Sequence, residues 1–318
     1  MDMQTPDLRR FSVALFSSVM GLSGFTLMAV QAVQVLHYPA IISQAAAVIS
    51  IGAFLFITAG FILKILFCRE SVAEELNNPV ILAFSGCIPV SFLLIATILS
   101  VFHLPLVNVV WWAGTVLQVL VTFYCLAFWV NSDIDLQYAT PAWLIPVVGN
   151  LIVPFGGRGI VSQPFLEFFF SIGFFFWIIL TPILLYRIIF CDQLKENLRP
   201  LLFIFIAPPA IAVVSYLSIF GDHYDFFVTL LYNVGLAFTF LTLVLYKKFI
   251  HLKFYTSSWA FIFPSAVMTT ASIKMYAHYG YAFYFYLSHV LFMGICFVML
   301  WITRQILKMI LCRRVENR

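Results

Sequence analysis

The chain has 318 residues, of which 63% are hydrophobic and 9% are charged, with a formal net charge of +4 and a mean hydropathy of +1.04. Soluble globular domains carry about 25% charged residues. A chain of this length and composition therefore lacks the polar groups needed for a water-facing surface. The composition excludes a soluble protein and predicts that lipid surrounds most of the chain.

Long apolar segments follow one another along almost the whole sequence. A helix needs about 20 residues to span a bilayer, whereas barrel strands are about 10 residues long and alternate in polarity. The continuous runs favour helices, and the predicted spans are 11–36, 40–66, 79–102, 105–130, 142–162, 164–190, 200–220, 225–249, 254–277 and 281–310. The sequence thus predicts an all-α integral membrane fold, with a ten-helix domain at 11–310 between a cytoplasmic N-terminus (1–10) and a cytoplasmic tail (311–318).

The links between these spans alternate in length. Tight links follow spans 1, 3, 7 and 9, as at residues 37–39 and 103–104, whereas longer polar links such as residues 68–78 follow even-numbered spans. Because short links join antiparallel neighbours, the chain is predicted to form five helical hairpins in series.

Positive charge is concentrated on one predicted side of the membrane. The opposite side has only Arg158 and Lys274 of the 17 lysines and arginines. The other 15 lie at the termini or by the links after even-numbered spans: Arg9, Arg10, Lys64, Arg69, Arg187, Lys195, Arg199, Lys247, Lys248, Lys253, Arg304, Lys308, Arg313, Arg314 and Arg318. The positive-inside rule then predicts an even number of spans with both termini in the cytoplasm.

Helix-breaking residues mark the first helix of each hairpin. Pro89, Pro146, Pro208 and Pro264 fall inside spans 3, 5, 7 and 9, and Gly21 lies one repeat earlier in span 1. A proline inside a helix removes a hydrogen bond and kinks the helix. In lipid, the freed carbonyl must find a partner in a neighbouring helix or a cavity. We therefore predict that the five odd-numbered helices are kinked and face inward together.

Small polar residues are also concentrated in the odd-numbered spans. They are Ser17, Ser18, Ser23, Ser85, Ser91, Asn150, Ser215, Thr269, Thr270 and Ser272. The even-numbered spans are bulky and aromatic instead. This division predicts an inner ring of five helices, with a pore lined by small, hydroxyl and aromatic groups.

Carboxylates, lysines and arginines are missing from the middle of the predicted spans, and only one histidine, His289, lies within a span. Ion-coupled carriers and cation channels commonly place a carboxylate there, so the pattern argues against proton coupling, sodium coupling and cation selectivity. The six cysteines include no CxxC pair, and no histidines have the spacing of metal ligands. We predict no enzyme activity, no metal site, no cofactor and no nucleic-acid partner. Arg158 and Lys274 either concentrate anions at an outer vestibule or only anchor helix ends.

Three sequence segments resemble a known family. They are PAWLIPVVGN (141–150), FIAPPAIAVVSYLS (205–218) and SWAFIFPSAVMTTAS (258–272). In this order and spacing they resemble the TehA family of tellurite-resistance and dicarboxylate transporters, which includes the plant guard-cell slow-type anion channels. The resemblance covers nearly the whole chain.

The resemblance implies a specific architecture. The hairpins would form a quasi-fivefold ring around a central pore, with each protomer of a homotrimer having its own pore, in the inner (plasma) membrane of a bacterium. A phenylalanine in the ninth span would close the pore, and the matching residue is Phe263. The family's kinked pore helices match Pro89, Pro146 and Pro208, but no proline is present near Val19 in span 1.

The predicted function is a passive channel for small inorganic or organic anions, gated at Phe263. The alternative is a secondary transporter or exporter of small anions such as C4-dicarboxylates, sulfite or tellurite. The missing mid-membrane carboxylate favours the channel. An intramembrane enzyme would need a cluster of His, Asp, Ser or Cys within the bilayer, and the sequence does not provide one.

Overall fold

The computed structural model describes residues 6–9 and 11–316. Helical segments lie at each of the predicted positions, and in the described part of the chain the only β pairing is an isolated bridge between Arg158 and Val161. In chain order the helices are α1 (Val13–Leu36), α2 (Ala40–Phe67), α3 (Pro79–Val101), α4 (Val107–Asn131), α5 (Pro141–Gly157), α6 (Gln163–Phe190), α7 (Glu196–Phe220), α8 (Phe226–Val244), α9 (256–279) and α10 (Ala282–Glu316).

Eight of the described helices are long and apolar enough to cross a membrane. The other two are α5, which is shorter, and α9, which carries Lys274 and His278 among many small residues. The prediction of an all-helical membrane protein is therefore confirmed. The count of ten spans stays a prediction, because α5 and α9 do not meet the length and hydropathy of a span on their own.

The odd-numbered helices pack against one another in a closed circuit. Contacts run from α1 to α3, α5, α7 and α9, and α9 packs against α1. Each even-numbered helix packs on the odd-numbered helix before it. Between 61% and 83% of the apolar stretches of α1, α3 and α7 is buried, against 22% to 39% for the even-numbered helices. The odd-numbered helices thus form the interior, and the even-numbered ones present apolar side chains outward.

Each predicted proline lies where 3-10 geometry gives way to an α-helix. An α-helical segment begins directly after 3-10 residues at Cys87 in α3, at Leu144 in α5, at Ala207 in α7 and at Ile262 in α9. The prolines at 89, 146, 208 and 264 follow one or two residues later. A proline is tolerated in a first helical turn because N–H groups there have no intrahelical acceptor. The irregular geometry thus falls at the same point of each repeat.

Helix α1 differs from the other inner helices, because it is α-helical without interruption over Phe16–Leu36 and so passes through Gly21. A Cβ on Gly21 would lie 2.9 Å from Cε3 of Trp259. Glycine at this position therefore allows α1 to approach α9 closely, as small residues do between membrane helices.

The helix ends show ordinary capping. The side chain of Asn78 accepts hydrogen bonds from the N–H groups of Val80 and Ile81, and Pro79 occupies the first helical position of α3. His37 and Gly280 end α1 and α9 in left-handed conformations. These caps explain the tight links predicted after spans 1 and 9.

The last helix ends later than predicted. Helix α10 continues to Glu316, so residues 311–316 of the predicted tail prolong the last helix. Residues 1–5, 10, 317 and 318 lie outside the described residues, and with them most of the predicted cytoplasmic N-terminus.

Candidate pore and gate

Two cavities lie inside the circuit of odd-numbered helices, with volumes of about 30 Å³ and 170 Å³. Residues from all five odd-numbered helices line each of them. Phe263 is the one residue that lines both. Its side chain is buried, with 3% of its surface exposed. The phenyl ring therefore lies between the two spaces.

The two cavities follow one another along the helix axes. On each neighbouring helix, a residue that lines the first cavity is followed about one helical turn later by a residue that lines the second. The pairs are Met20 and Gly24, Val90 and Leu94, Ile152 and Phe155, and Ile211 and Val214. The first cavity lies nearer the N-terminal ends of the odd-numbered helices, which the charge pattern assigns to the cytoplasm. We call it the inner cavity and the second the outer cavity.

Phe263 is positioned by α9 and by a glycine of α1. The α-helical part of α9 begins at Ile262, so the ring projects from the first α-helical turn, next to Pro264. A Cβ on Gly24 would lie 2.7 Å from Cδ2 of Phe263 and 3.5 Å from its Cα. Only a residue without a side chain leaves room for the ring there. Our sequence reasoning missed this role of Gly24, because it depends on a contact between residues 239 positions apart.

The two cavities differ in polarity. The inner cavity is lined by aliphatic, glycine and proline residues together with Phe263. The outer cavity contains the polar side chains of Gln31, Gln34, Thr97, Thr270 and Lys274, and also Ser218. Neither cavity has an Asp or Glu in its lining. The glutamines were not predicted as site residues, although their spacing of three places both on one face of α1.

The structure separates the two cations of the predicted vestibule. Lys274 lines the outer cavity, whereas Arg158 is exposed at the C-terminal end of α5 and does not line it. The guanidinium nitrogens of Arg158 lie 3.8 Å from the position of a Cβ on Gly221, in the turn between α7 and α8. The chain therefore brings one of the two predicted cations to the space above Phe263.

Most of the predicted small polar residues do not face either cavity. Of the ten, Thr270 alone lines a cavity. Ser17, Thr269 and Ser272 donate to carbonyls three or four residues earlier on their own helices. A serine or threonine hydroxyl in a helix commonly bonds in this way. The prediction of a hydroxyl-lined pore therefore holds only for part of the outer cavity.

Side chains of α4 supply partners for the broken backbone of α5. The amide of Gln118 and the hydroxyl of Thr122 each donate to the carbonyl of Pro146, both at 2.7 Å. The amide of Asn150 donates to the Thr122 hydroxyl at 3.0 Å and to the carbonyl of Val147 at 2.7 Å. All of these side chains are buried. A neighbouring helix thus satisfies the irregular backbone, as the apolar surroundings require.

Hydroxyl groups also join neighbouring inner helices near their N-terminal ends. Ser91 of α3 donates to the carbonyl of Phe16 in α1 at 3.2 Å, and Ser17 of α1 donates to that of Thr256 in α9 at 3.5 Å. Ser257 of α9 donates to the carbonyl of Asn197 in α7. These bonds hold the inner helices in register beside the inner cavity.

Aromatic and acidic groups surround the outer ends of α7, α8 and α9. Tyr224 stacks on His278 with ring centroids 3.9 Å apart, and its hydroxyl donates to the carbonyl of Lys274 at 3.1 Å. Burial, followed by the negative charge of Asp222, raises the pKa of Tyr224 to about 12. Tyr224 therefore stays neutral and keeps its hydrogen bond to the backbone of α9 at physiological pH.

An inner circuit of five helices, two cavities in series and one buried ring between them define a membrane channel or carrier. The sequence model of the family described as voltage-dependent anion channel, SLAC1, matches residues 10–307. The chain belongs to this family, whose members are channels and transporters and not enzymes.

Individual relatives are distant and come from several kingdoms. The S-type anion channel SLAH3 of Arabidopsis thaliana is 25% identical over 86% of this chain and 44% of its own length. The tellurite resistance protein TehA homolog of Haemophilus influenzae is 26% identical over 67% of this chain and 65% of its own length. An uncharacterized transporter of Methanocaldococcus jannaschii is 23% identical over 90% of this chain and 89% of its own length. The chain thus spans less than half of the plant channel.

Proposed function

We propose that the protein is a passive anion channel whose path is closed by the side chain of Phe263. The observation that supports the proposal is that Phe263 lines both cavities and is itself buried. Family membership and the relatives named anion channels support anions as the permeant species. Small inorganic or organic anions are the substrates that we propose.

The ring closes the path by size and by exclusion of water. Hydrophobic constrictions in channels prevent permeation because water leaves a narrow apolar space. The lining below Phe263 is apolar, so a hydrated anion at this level would lose its water without gaining hydrogen bonds. Opening requires the ring to change its rotamer or α9 to move relative to Gly24.

The cavity linings favour a channel over a carrier. Carriers coupled to protons or sodium use an ionisable group within the membrane that binds the coupling ion. No carboxylate lines either cavity. Transport by diffusion down the electrochemical gradient needs no such group.

The proposal includes the topology and the assembly. Ten spans with both termini in the cytoplasm agree with the charge pattern and with the positions of the described helices. The homotrimer and the bacterial inner membrane rest on resemblance to the TehA family. The apolar side chains exposed on α2, α4, α6, α8 and α10 provide surfaces for lipid or for other protomers.

The experiment is a planar-bilayer recording of purified protein with Phe263→Ala. We expect little current from the wild type and a large anion current from the variant that varies smoothly with voltage. Phe261→Ala is the matched control, because Phe261 is a buried phenylalanine of the same helix that lines neither of the two cavities. Equal currents from wild type and Phe263→Ala would contradict the gate, and saturable proton-coupled flux would favour the transporter.

A further inference from the structure

We infer that the outer cavity is a binding site for one small anion of charge −1, held at Lys274 while the path below is still closed. This inference rests on the proposed function, because it places a binding step above the Phe263 gate. It adds an anion-binding site, formed around Lys274, to a pore whose inner cavity has no charged residue in its lining.

The positive charge of the outer cavity lies on one side chain. Lys274 is the only charged residue among those lining the outer cavity, and it is partly buried. Among the residues that the structure describes, no carboxylate lies within 4.0 Å of its ammonium group. The charge of Asp222, in the turn between α7 and α8, acts on Lys274 without forming a salt bridge. A partly desolvated ammonium that is not held in a salt bridge attracts an anion more strongly than an exposed one does, because water screens it less.

Neutral hydrogen-bond donors accompany this charge. Gln31 and Gln34 come from α1 and Thr270 from α9, and all three line the same cavity as Lys274. Amide and hydroxyl groups replace part of the hydration shell of an anion that enters from the outer side. The cavity of about 170 Å³ leaves room for a small anion with some of its water.

The lining of the outer cavity also limits the charge of the ligand. The other lining residues include Leu27, Val30 and Val267, so an anion in the cavity has apolar neighbours on several sides. One ammonium balances one negative charge. An anion of charge −2 would keep an uncompensated charge there, which is costly in an apolar environment. The site is therefore expected to bind nitrate or chloride in preference to sulfate or a dicarboxylate.

The test uses nitrate as the probe and has two parts. In the first, unfolding midpoints of purified wild-type protein are measured as sodium nitrate replaces sodium gluconate at constant ionic strength. Ligands that bind the native state raise its stability with concentration. We expect a saturable rise in the wild type and an apparent dissociation constant about tenfold higher in Lys274→Gln, as for the loss of a charge in contact with the ligand.

Arg158→Gln is the matched control, because it removes a cation of the same side that does not line the cavity. Lys274→Arg keeps the charge and should keep most of the nitrate response. The inference is overturned if Lys274→Gln and wild type respond to nitrate alike, or if sulfate at equal ionic strength stabilises the wild type as strongly. This part requires no current, so its outcome is independent of the gate.

The second part places Lys274→Gln in the Phe263→Ala background. At low nitrate on the outer side, we expect its conductance to fall about tenfold, and that of Arg158→Gln in the same background to change less than about twofold. Unchanged conductance in Lys274→Gln would overturn the inference and leave the channel proposal intact. A silent Phe263→Ala parent would instead contradict the gate, and the nitrate titration would then decide the site alone.

Discussion

The α-carbon of Gly24 in α1 faces the ring of Phe263 in α9 so closely that an added Cβ would lie 2.7 Å from Cδ2 of that ring. Real Cβ atoms do not approach other heavy atoms to this distance, so a side chain at residue 24 forces the ring to move. The first and ninth helices are therefore fitted to each other at the level of the proposed gate.

This contact predicts a strong coupling between the two positions. Gly24→Ala should lower the free energy of unfolding by about 1–3 kcal/mol in the wild type, because an extra methyl overfills a packed site. In the Phe263→Ala background it should be neutral or slightly stabilising, because alanine favours the helix. Unfolding of the four proteins in detergent gives the coupling energy.

Gly52→Ala is the control for Gly24→Ala, because nothing lies within 4 Å of the position of its Cβ. It should change stability little and equally in both backgrounds. If Gly24→Ala lowered the free energy of unfolding equally in the wild type and in the Phe263→Ala background, the ring would not be fitted against α1.

A second prediction concerns the carbonyl of Pro146. Gln118→Leu and Thr122→Val each remove one of its two donors, so each should lower stability by about 1–2 kcal/mol. The double variant should lower the free energy of unfolding by more than the two single variants together, because the buried carbonyl is then without a partner. Thr303→Val, at an exposed hydroxyl that bonds to its own helix, is the control. A strictly additive double variant would show that the two donors do not share this role.

The third prediction concerns the start of α1. The buried ammonium of Lys64 lies 3.0 Å from Oε1 of Glu75 and donates to the carbonyl of Phe11 at 2.9 Å, while Oε2 of Glu75 accepts the N–H of Val13 at 3.2 Å. Glu75→Gln leaves the ammonium without its counter-charge, so stability should fall by about 3 kcal/mol.

Glu74→Gln removes an exposed carboxylate of the same short helix, Arg69–Leu76, and should have almost no effect. Lys64→Met combined with Glu75→Gln should recover much of the loss, because no buried charge then lacks a partner. If the double variant were no more stable than Glu75→Gln alone, the unpaired charge would not be the cause.

The fourth prediction is a dependence of stability on pH through Asp225, which caps α8. The N–H of Val228 and the hydroxyl of Tyr216 both donate to the Asp225 carboxylate, and Nε2 of His223 lies 3.8 Å from Oδ2 of Asp225. Together these groups lower the pKa of Asp225 below its ordinary value of 3.8. A lowered folded-state pKa gives stability that is present above the unfolded value and is lost as the pH falls through the folded value.

Asp225→Asn keeps a capping side chain but removes the ionisation. Between about pH 6 and pH 3, the unfolding midpoint of the wild type should therefore fall more than that of Asp225→Asn. Parallel curves for the two proteins would show that Asp225 does not contribute to the acid sensitivity.

Much of this architecture was predictable from the sequence. The membrane class follows from the scarcity of charge, and the interior position of the odd-numbered helices agrees with the regular spacing of Pro89, Pro146, Pro208 and Pro264. Such features repeat locally along the chain, so a pattern reveals them. The 3-10 geometry before each proline is less visible, because it depends on hydrogen bonds from other helices.

The contacts at the candidate site were harder to foresee. Gln118 lies in a mainly apolar even-numbered span, and only the folded structure shows that it turns toward the carbonyl of Pro146. Gly24 is one of 15 glycines, and its role depends on a ring far away in the sequence. Phe263 is one of 36 phenylalanines, and family resemblance singled it out before any geometry did.

The central claim is that one side chain, at residue 263, closes the path between the two cavities. Its most direct test is the single-channel current at fixed voltage in a series with Gly, Ala, Leu and Phe at residue 263, with all four proteins recorded in the same bilayer and salt. The account predicts that current decreases in that order as the side chain grows, down to almost none for Phe. A current that is independent of the residue at this position would contradict it.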